Sequence, residues 1–210
     1  IKDLKKRLKG VLWQFPCHPV AFPDESAISS DYPGHVRSAL RKKHGNISVL
    51  FYQGFSGDIR PFCSDKSTSL KNRVLSYLNG GIFPFSRFSL SKYASWSKNI
   101  SDGIIQCISE SSHALQPRFQ SSIATFPLSE ILDDHDSAKS FSVKALVISK
   151  NIAVLGMTAE VCNDVGKLMP KFEGNLIKIG CIDCCFGYLP TSQMVEEKGY
   201  EVEGFFSGFH

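Results

Sequence analysis

The chain has 210 residues, 42% of them hydrophobic and 21% charged, and a formal net charge of +4. These are globular proportions, which exclude a collagen, a coiled coil and a wholly disordered chain, and no run of about 18 apolar residues is present to form a transmembrane helix. The length fits one domain or at most two small ones, and the basic residues of 1–43 are scattered over surfaces rather than massed, so no nucleic-acid partner is expected.

The chain opens on Ile1, and the five basic residues between Lys2 and Lys9 run into a polar turn and a short apolar strand, not the apolar core of a signal peptide. It reads as a piece of a larger protein. Residues 10–22 predict a short buried strand ending at Pro16 or Pro19, with His18 at the strand end between two prolines. Residues 34–44 predict a helix with Val36, Ala39 and Leu40 on one face and Gly45 as its stop. Residues 46–53 predict a strand that runs into the tight glycine-bearing turn Gly54-Phe55-Ser56-Gly57-Asp58, a place where α/β proteins often carry a site. The serine-rich stretch 61–140 is the least regular. A helix is expected over about 99–115, from the spacing of Ile100, Ile104, Ile105, Ile108 and Leu115, and the aromatic segment 82–98 reads as a packed loop or lid.

Past residue 141 the pattern sharpens. Segments 142–149 and 152–157 flank Lys150-Asn151 as a hairpin with a two-residue turn. Thr158 is placed to cap a helix beginning near Glu160, with Val161, Val165 and Leu168 on one face and Pro170 as its stop. Residues 176–183 predict a strand, 186–191 a loop, and 191–198 a short amphipathic helix closed by Gly199. The expected fold class is α/β (α+β): a mixed β-sheet with flanking helices in a single domain over 1–210, incomplete at its N-terminus, with a serine-rich irregular insertion around 62–140. The hairpin excludes a purely parallel sheet.

The seven cysteines, Cys17, Cys63, Cys107, Cys162, Cys181, Cys184 and Cys185, are odd in number and irregular in spacing, which argues against a disulfide framework. Cys181-x-x-Cys184 is half of a zinc-ribbon pattern without the other half, and the thiols read as buried or idle. The cluster Asp133-Asp134-His135-Asp136 reads as a solvated loop. The Asn46 and Asn99 glycosylation patterns carry meaning only in a secreted chain.

Polar residues at strand ends are the candidates for chemistry: His18, the 54–60 turn and Tyr188, with Glu160 after a fourth strand. A His, a Glu and a Tyr are all usable zinc ligands, and catalytic zinc sites keep a position open for water. Each also has a plain reading: a hydrogen-bonded structural His, a Glu on a helix dipole, a packed Tyr ring. Spacing alone does not select them.

Four segments in order resemble the neutral/alkaline non-lysosomal ceramidase family. They are Phe15-Pro16-Cys17-His18-Pro19-Val20 with Ile28-Ser29-Ser30-Asp31-Tyr32-Pro33-Gly34; Val49-Leu50-Phe51-Tyr52-Gln53-Gly54 with Gly57-Asp58-Ile59 and Pro61; the hairpin with Gly156-Met157-Thr158-Ala159-Glu160; and Gly187-Tyr188-Leu189-Pro190-Thr191 with Gly199-Tyr200-Glu201-Val202. The resemblance implies a ceramidase-like zinc amidase that cleaves the amide of an N-acyl sphingoid base or related N-acyl amide, and a secreted or membrane-associated setting. By the same resemblance His18, Glu160 and Tyr188 are zinc ligands, and Tyr200 assists at the substrate carbonyl. Asp31 is a candidate hydrogen-bond acceptor that orients a metal ligand. The chain is expected to begin downstream of the family's other zinc histidine. Arg60 stands where the ceramidases carry a serine; a permanent cation, it is suited to a carboxylate or phosphate, and is a candidate substrate-binding residue. The alternatives kept beside this reading are a non-catalytic ceramidase-like binding protein and an inactive fragment.

Overall fold

The structure, a computed structural model, describes residues 1–24, 26–61, 88–110, 114–130, 139–183, 185 and 187–202. It divides into two compact units, the first made of Ile1–Val11, Pro19–Val49 and Pro61–Ser112, the second of Leu12–His18, Leu50–Arg60 and His113–His210. Strands β1 (Gly10–Phe15) and β2 (Ser48–Gln53) pair with each other, and each begins in the first unit and ends in the second. The Ser48 N–H bonds the Lys9 carbonyl and the Gly54 N–H bonds the Phe15 carbonyl, at one constant sequence offset, so the two strands run parallel.

In the first unit, helix α1 spans Asp31–His44 and ends at Gly45, whose φ of 80° suits glycine. It starts three residues ahead of the sequence expectation. Pro33 lies in the first turn, where its missing N–H costs nothing, and Gly34 leaves room for the Ser30 side chain, which a Cβ there would strike. Tyr32, Val36 and Leu40 are wholly buried. Helix α2 spans Leu90–Glu110, so the expected helix begins nine residues earlier than the isoleucines predict and ends at Glu110. One stripe runs along it at helical spacing through Tyr93, Trp96, Ser97, Ile100, Ser101, Ile104, Ile105 and Ile108. Its first half is aromatic and serine rather than aliphatic, and therefore resembles a loop in sequence. Tyr32 and Trp96 meet edge to face at 5.2 Å, Phe22 and Tyr93 at 5.4 Å. Residues 82–87, the start of the expected lid, lie outside the described residues.

The second unit holds a mixed four-stranded sheet in the order β3 (Gln120–Pro127), β4 (Ser140–Ser149), β5 (Ile152–Met157), β7 (Asn175–Ile179). The β4–β5 hairpin turns at Lys150-Asn151 as expected, with Val143 opposite Met157 and Val147 opposite Ala153. β7 joins parallel to β5. Strand β3 lies in the stretch read as irregular. All eight of its residues are exposed, so it has no alternating apolar face to announce it, and it is held by its backbone ladder to β4 and by the stacked pair Phe126–Phe141.

A helix beginning near Glu160 is not formed. Glu160–Val161 is instead the short strand β6, paired parallel with β8 (Tyr188–Leu189), a segment expected to be loop. The spacing of Val161, Val165 and Leu168 imitates a helix, but neighbouring segments take the backbone groups of 160–162. Helix α3 is only one turn, Val165–Leu168, after which Met169 is extended ahead of Pro170. Thr158 does not cap it; its Oγ1 accepts the Ser142 N–H at 2.8 Å. Helix α4 (Ser192–Glu197) forms as expected, with Thr191 Oγ1 accepting the Met194 N–H; the left-handed residue that ends it is Lys198 rather than Gly199.

The core of this unit is Phe55, Leu128, Phe141, Met157, Ala159 and Val161, with Val143, Leu155, Val165, Met169 and Leu189 packed around them. Phe55, 3% exposed, belongs to the glycine turn, so the turn is anchored by its own apolar side chain. Phe55→Ala is expected to destabilise the protein by about 3–5 kcal/mol, read as a lowered denaturation midpoint; a change below about 1 kcal/mol would remove Phe55 from the core.

Candidate functional site

Three stretches of chain converge on β6 in the second unit. On one side the Glu160 N–H donates to the Gly187 carbonyl at 2.7 Å and the Cys162 N–H to the Leu189 carbonyl at 3.1 Å. On the other side the Gly57 N–H donates to the Val161 carbonyl at 2.9 Å, and Asp58 Oδ1 accepts the Asn163 N–H at 2.6 Å. From the loop after β7, the Cys181 N–H bonds the Ala159 carbonyl at 2.8 Å. The approach of the turn demands glycine: a Cβ on Gly57 would lie 2.8 Å from the Glu160 carbonyl oxygen and 2.9 Å from Cys162 Sγ. Successive side chains of a strand point opposite ways, so with Val161 in the core Glu160 faces away from it.

His18 arrives from the end of β1. Its backbone is led there by the Gln53 side-chain amide, which donates to the Cys17 carbonyl at 3.0 Å, and by its own N–H toward the Ile59 carbonyl at 3.5 Å. Prolines at 16 and 19 stiffen the segment. His18 Nε2 then stands 2.8 Å from Glu160 Oε1, with both side chains about four-fifths buried. The β6–β8 register sets Tyr188 directly beside Glu160, and the Tyr188 ring meets the Tyr200 ring edge to face, centroids 6.0 Å apart. Tyr200 is half exposed. Burial, then the Glu160 carboxylate, then the Tyr200 phenol push the Tyr188 hydroxyl well above the ordinary tyrosine range, so near neutral pH it is a proton donor. The surroundings are acidic: Cys162, fully buried, has its thiol pushed up to about 12 by burial and then by Asp58, Glu201, Glu160 and Asp164.

The structure thus brings His18, Glu160, Tyr188 and Tyr200 together. An imidazole nitrogen, a carboxylate and a phenol form a donor set suited to zinc, and the surrounding carboxylates favour a cation. Among the described residues no three His, Cys, Asp or Glu side chains cluster to hold a metal; the candidate set depends on the Tyr188 phenol as its third donor. Arg60 is exposed and follows Ile59, whose carbonyl faces the His18 N–H.

Asp31 belongs to the first unit. Its Oδ2 accepts the N–H groups of Ala21 and Phe22 at 2.7 and 2.8 Å, and its Oδ1 that of Tyr32. Its φ is 47°, and the carboxylate is spent on ordering the chain at the start of α1. The roles of Asp58 and of the Gly187 carbonyl as tethers of β6 were not assigned from the sequence, although both lie in the segments that carry the resemblance. The cluster around His135 lies outside the described residues, as does Cys184. No helix among the described residues is long and apolar enough to cross a membrane.

No protein-family model, curated protein sequence or solved structure matches this chain.

Removing the charge beside a phenol favours its ionised form. Glu160→Gln is therefore expected to move the Tyr188 ionisation to lower pH, followed by ultraviolet difference titration with Tyr188→Phe as the reference. An unmoved titration would show that the Glu160 carboxylate does not face the phenol.

Proposed function

We propose that the protein is a ceramidase-like zinc-dependent amidohydrolase that cleaves the amide of an N-acyl sphingoid base or a related N-acyl amide. The observation that carries this reading is the convergence of His18, Glu160 and Tyr188, distant in sequence, on one spot of the second unit, with His18 Nε2 2.8 Å from Glu160 Oε1 and the β6–β8 register placing Tyr188 alongside. These are the residues that the family resemblance marks as ligands. His18, Glu160 and Tyr188 would hold the zinc, and a bound zinc supplies Lewis acidity and a water that ionises near neutral pH.

The remaining roles fall to the chain itself. Glu160 keeps the site negative and orients His18. Tyr200 lies against the Tyr188 ring and is half exposed; in this reading its hydroxyl would donate to the oxygen of a substrate carbonyl as charge develops there, the kind of stabilisation that grows toward the transition state. Arg60, on the turn tethered to β6, offers a fixed cation to a polar or anionic part of the substrate.

One observation favours a second reading, a non-catalytic relative that binds an anionic ligand: the exposed Arg60 replaces the serine that the ceramidases carry at this position.

The chain titrated with zinc is expected to bind one equivalent and to lose it in His18→Ala. With zinc it is expected to hydrolyse a fluorescent N-acyl sphingoid base, with kcat reduced about 10²–10³-fold in Tyr200→Phe, as for the loss of one oxyanion donor. Zinc bound without hydrolysis, and hydrolysis gained in Arg60→Ser, would keep the amidase and change its substrate. Failure to bind zinc would overturn the amidase and leave the anion-binding reading.

A further inference from the structure

Strand β3 is an outer strand of the second unit's four-stranded sheet. It opposes β4 in one unbroken antiparallel register, Gln120 against Val147 through Pro127 against Ser140. In that same register the Leu128 N–H donates to the Lys139 carbonyl, so the even-numbered residues of β3 turn their backbone groups to β4. The N–H and C=O groups of Ser121, Ile123 and Thr125 therefore point away from the sheet, and among the described residues nothing bonds them. Pro127, which has no N–H, takes the last outward position, where a sheet tolerates proline. The far side of the sheet differs: beside β7 the Lys178 carbonyl accepts the Gln14 side-chain amide at 2.9 Å, and the Gly180 N–H donates to the Gln53 carbonyl at 3.1 Å. Free edges in single-copy proteins are usually short, bulged or guarded by charge. β3 is eight residues long and exposed throughout, and no charged residue lies between Arg118 and Glu130. Phe119 and Ile123 are 74% and 64% exposed.

We propose that this edge docks a second copy of the chain, which adds its own β3 antiparallel and joins two four-stranded sheets into one continuous sheet. The occupant is read from the symmetry of the strand. About Ile123 the outward positions are self-complementary: Ile123 meets Ile123 of the second copy, Ser121 meets Thr125, and Phe119 meets Pro127. Hydroxyl faces hydroxyl and apolar faces apolar, the cross-strand pairs that stabilise a sheet. In this register the outward N–H groups of Ser121, Ile123 and Thr125 in each copy meet the outward carbonyls of the other. Charge sets the direction. Arg118 precedes β3 and Glu130 follows it, both exposed, so antiparallel addition brings the basic end of one strand toward the acidic end of the other, whereas parallel addition would set like charges side by side. The contact uses the same patch on both copies and closes at two. One shared strand edge is a narrow interface, so the two copies exchange with the single chain rather than form an obligate pair.

The test needs no assumption about amidase activity. The full chain is sedimented under reducing conditions from about 1 μM to about 1 mM. Its mass is expected to rise with concentration from 23.3 kDa toward twice that value, and to stay at the single-copy value in Ile123→Lys, which changes only an exposed side chain of the single copy and sets two ammonium groups together at the two-fold axis. The register is read separately by oxidation and peptide mapping. In Ile123→Cys the new thiols face each other across the axis and are expected to bridge the two copies at position 123. In Ser121→Cys they stand about 14 Å apart, four residues along the strand, and are expected to stay unbridged. A single-copy mass at every concentration would overturn the proposal and leave the edge to a strand of another protein. A dimer that survives Ile123→Lys, growth beyond two copies, or a bridge at position 121 and none at 123 would each overturn it too.

Discussion

The candidate site rests on a pairing only two residues long, Glu160–Val161 against Tyr188–Leu189. Strand register is usually guarded by many side chains, because a slip by one residue exchanges the two faces. Here the guard comes from outside the pairing. Gly57 holds the Val161 carbonyl, Asp58 holds the Asn163 N–H, and the Cys181 N–H holds the Ala159 carbonyl. Val161 is sealed among Phe55, Met157 and Ala159. A slip would drive the Glu160 carboxylate into that apolar cluster, a burial that costs several kcal/mol without a partner.

The same geometry explains how much of the molecule could be read in advance. The β4–β5 hairpin, α1 and α4 carry their own signals: alternating apolar residues about a two-residue turn, a helical face with a glycine stop, and a short amphipathic run. Elements whose reason for existing lies elsewhere in the chain carried none. β3 is exposed along its length and owes its form to the ladder with β4. The first half of α2 packs through tyrosine, tryptophan and serine, a composition shared with loops. β6 resembles a helix start because three apolar residues happen to fall at helical spacing, and only long-range hydrogen bonds decide otherwise.

The site residues divide along the same line. His18, Glu160 and Tyr188 each have an ordinary structural reading in their local context, and no spacing rule connects them. The family resemblance selected them, and the fold places them side by side. Asp31 had no such support. Its chemistry became visible only once its carboxylate was seen receiving backbone N–H groups at the start of α1, a position where a negative charge also suits the helix dipole. Arg60 remains set apart by its chemistry, a rigid cation where a hydroxyl would make a small neutral contact.

His18 and Glu160 come from distant parts of the sequence, and each is fixed by bonds to yet other distant segments. The imidazole, the carboxylate and the phenols come from three separate stretches of the chain. Chain closure over such spans is entropically expensive, and the tethers at Gly57, Asp58 and Cys181 are what hold these distant segments together. A ligand that bridges the imidazole and the carboxylate therefore does more than occupy them. It ties together the ends of several long loops at once, and its binding energy returns to the whole second unit as stability.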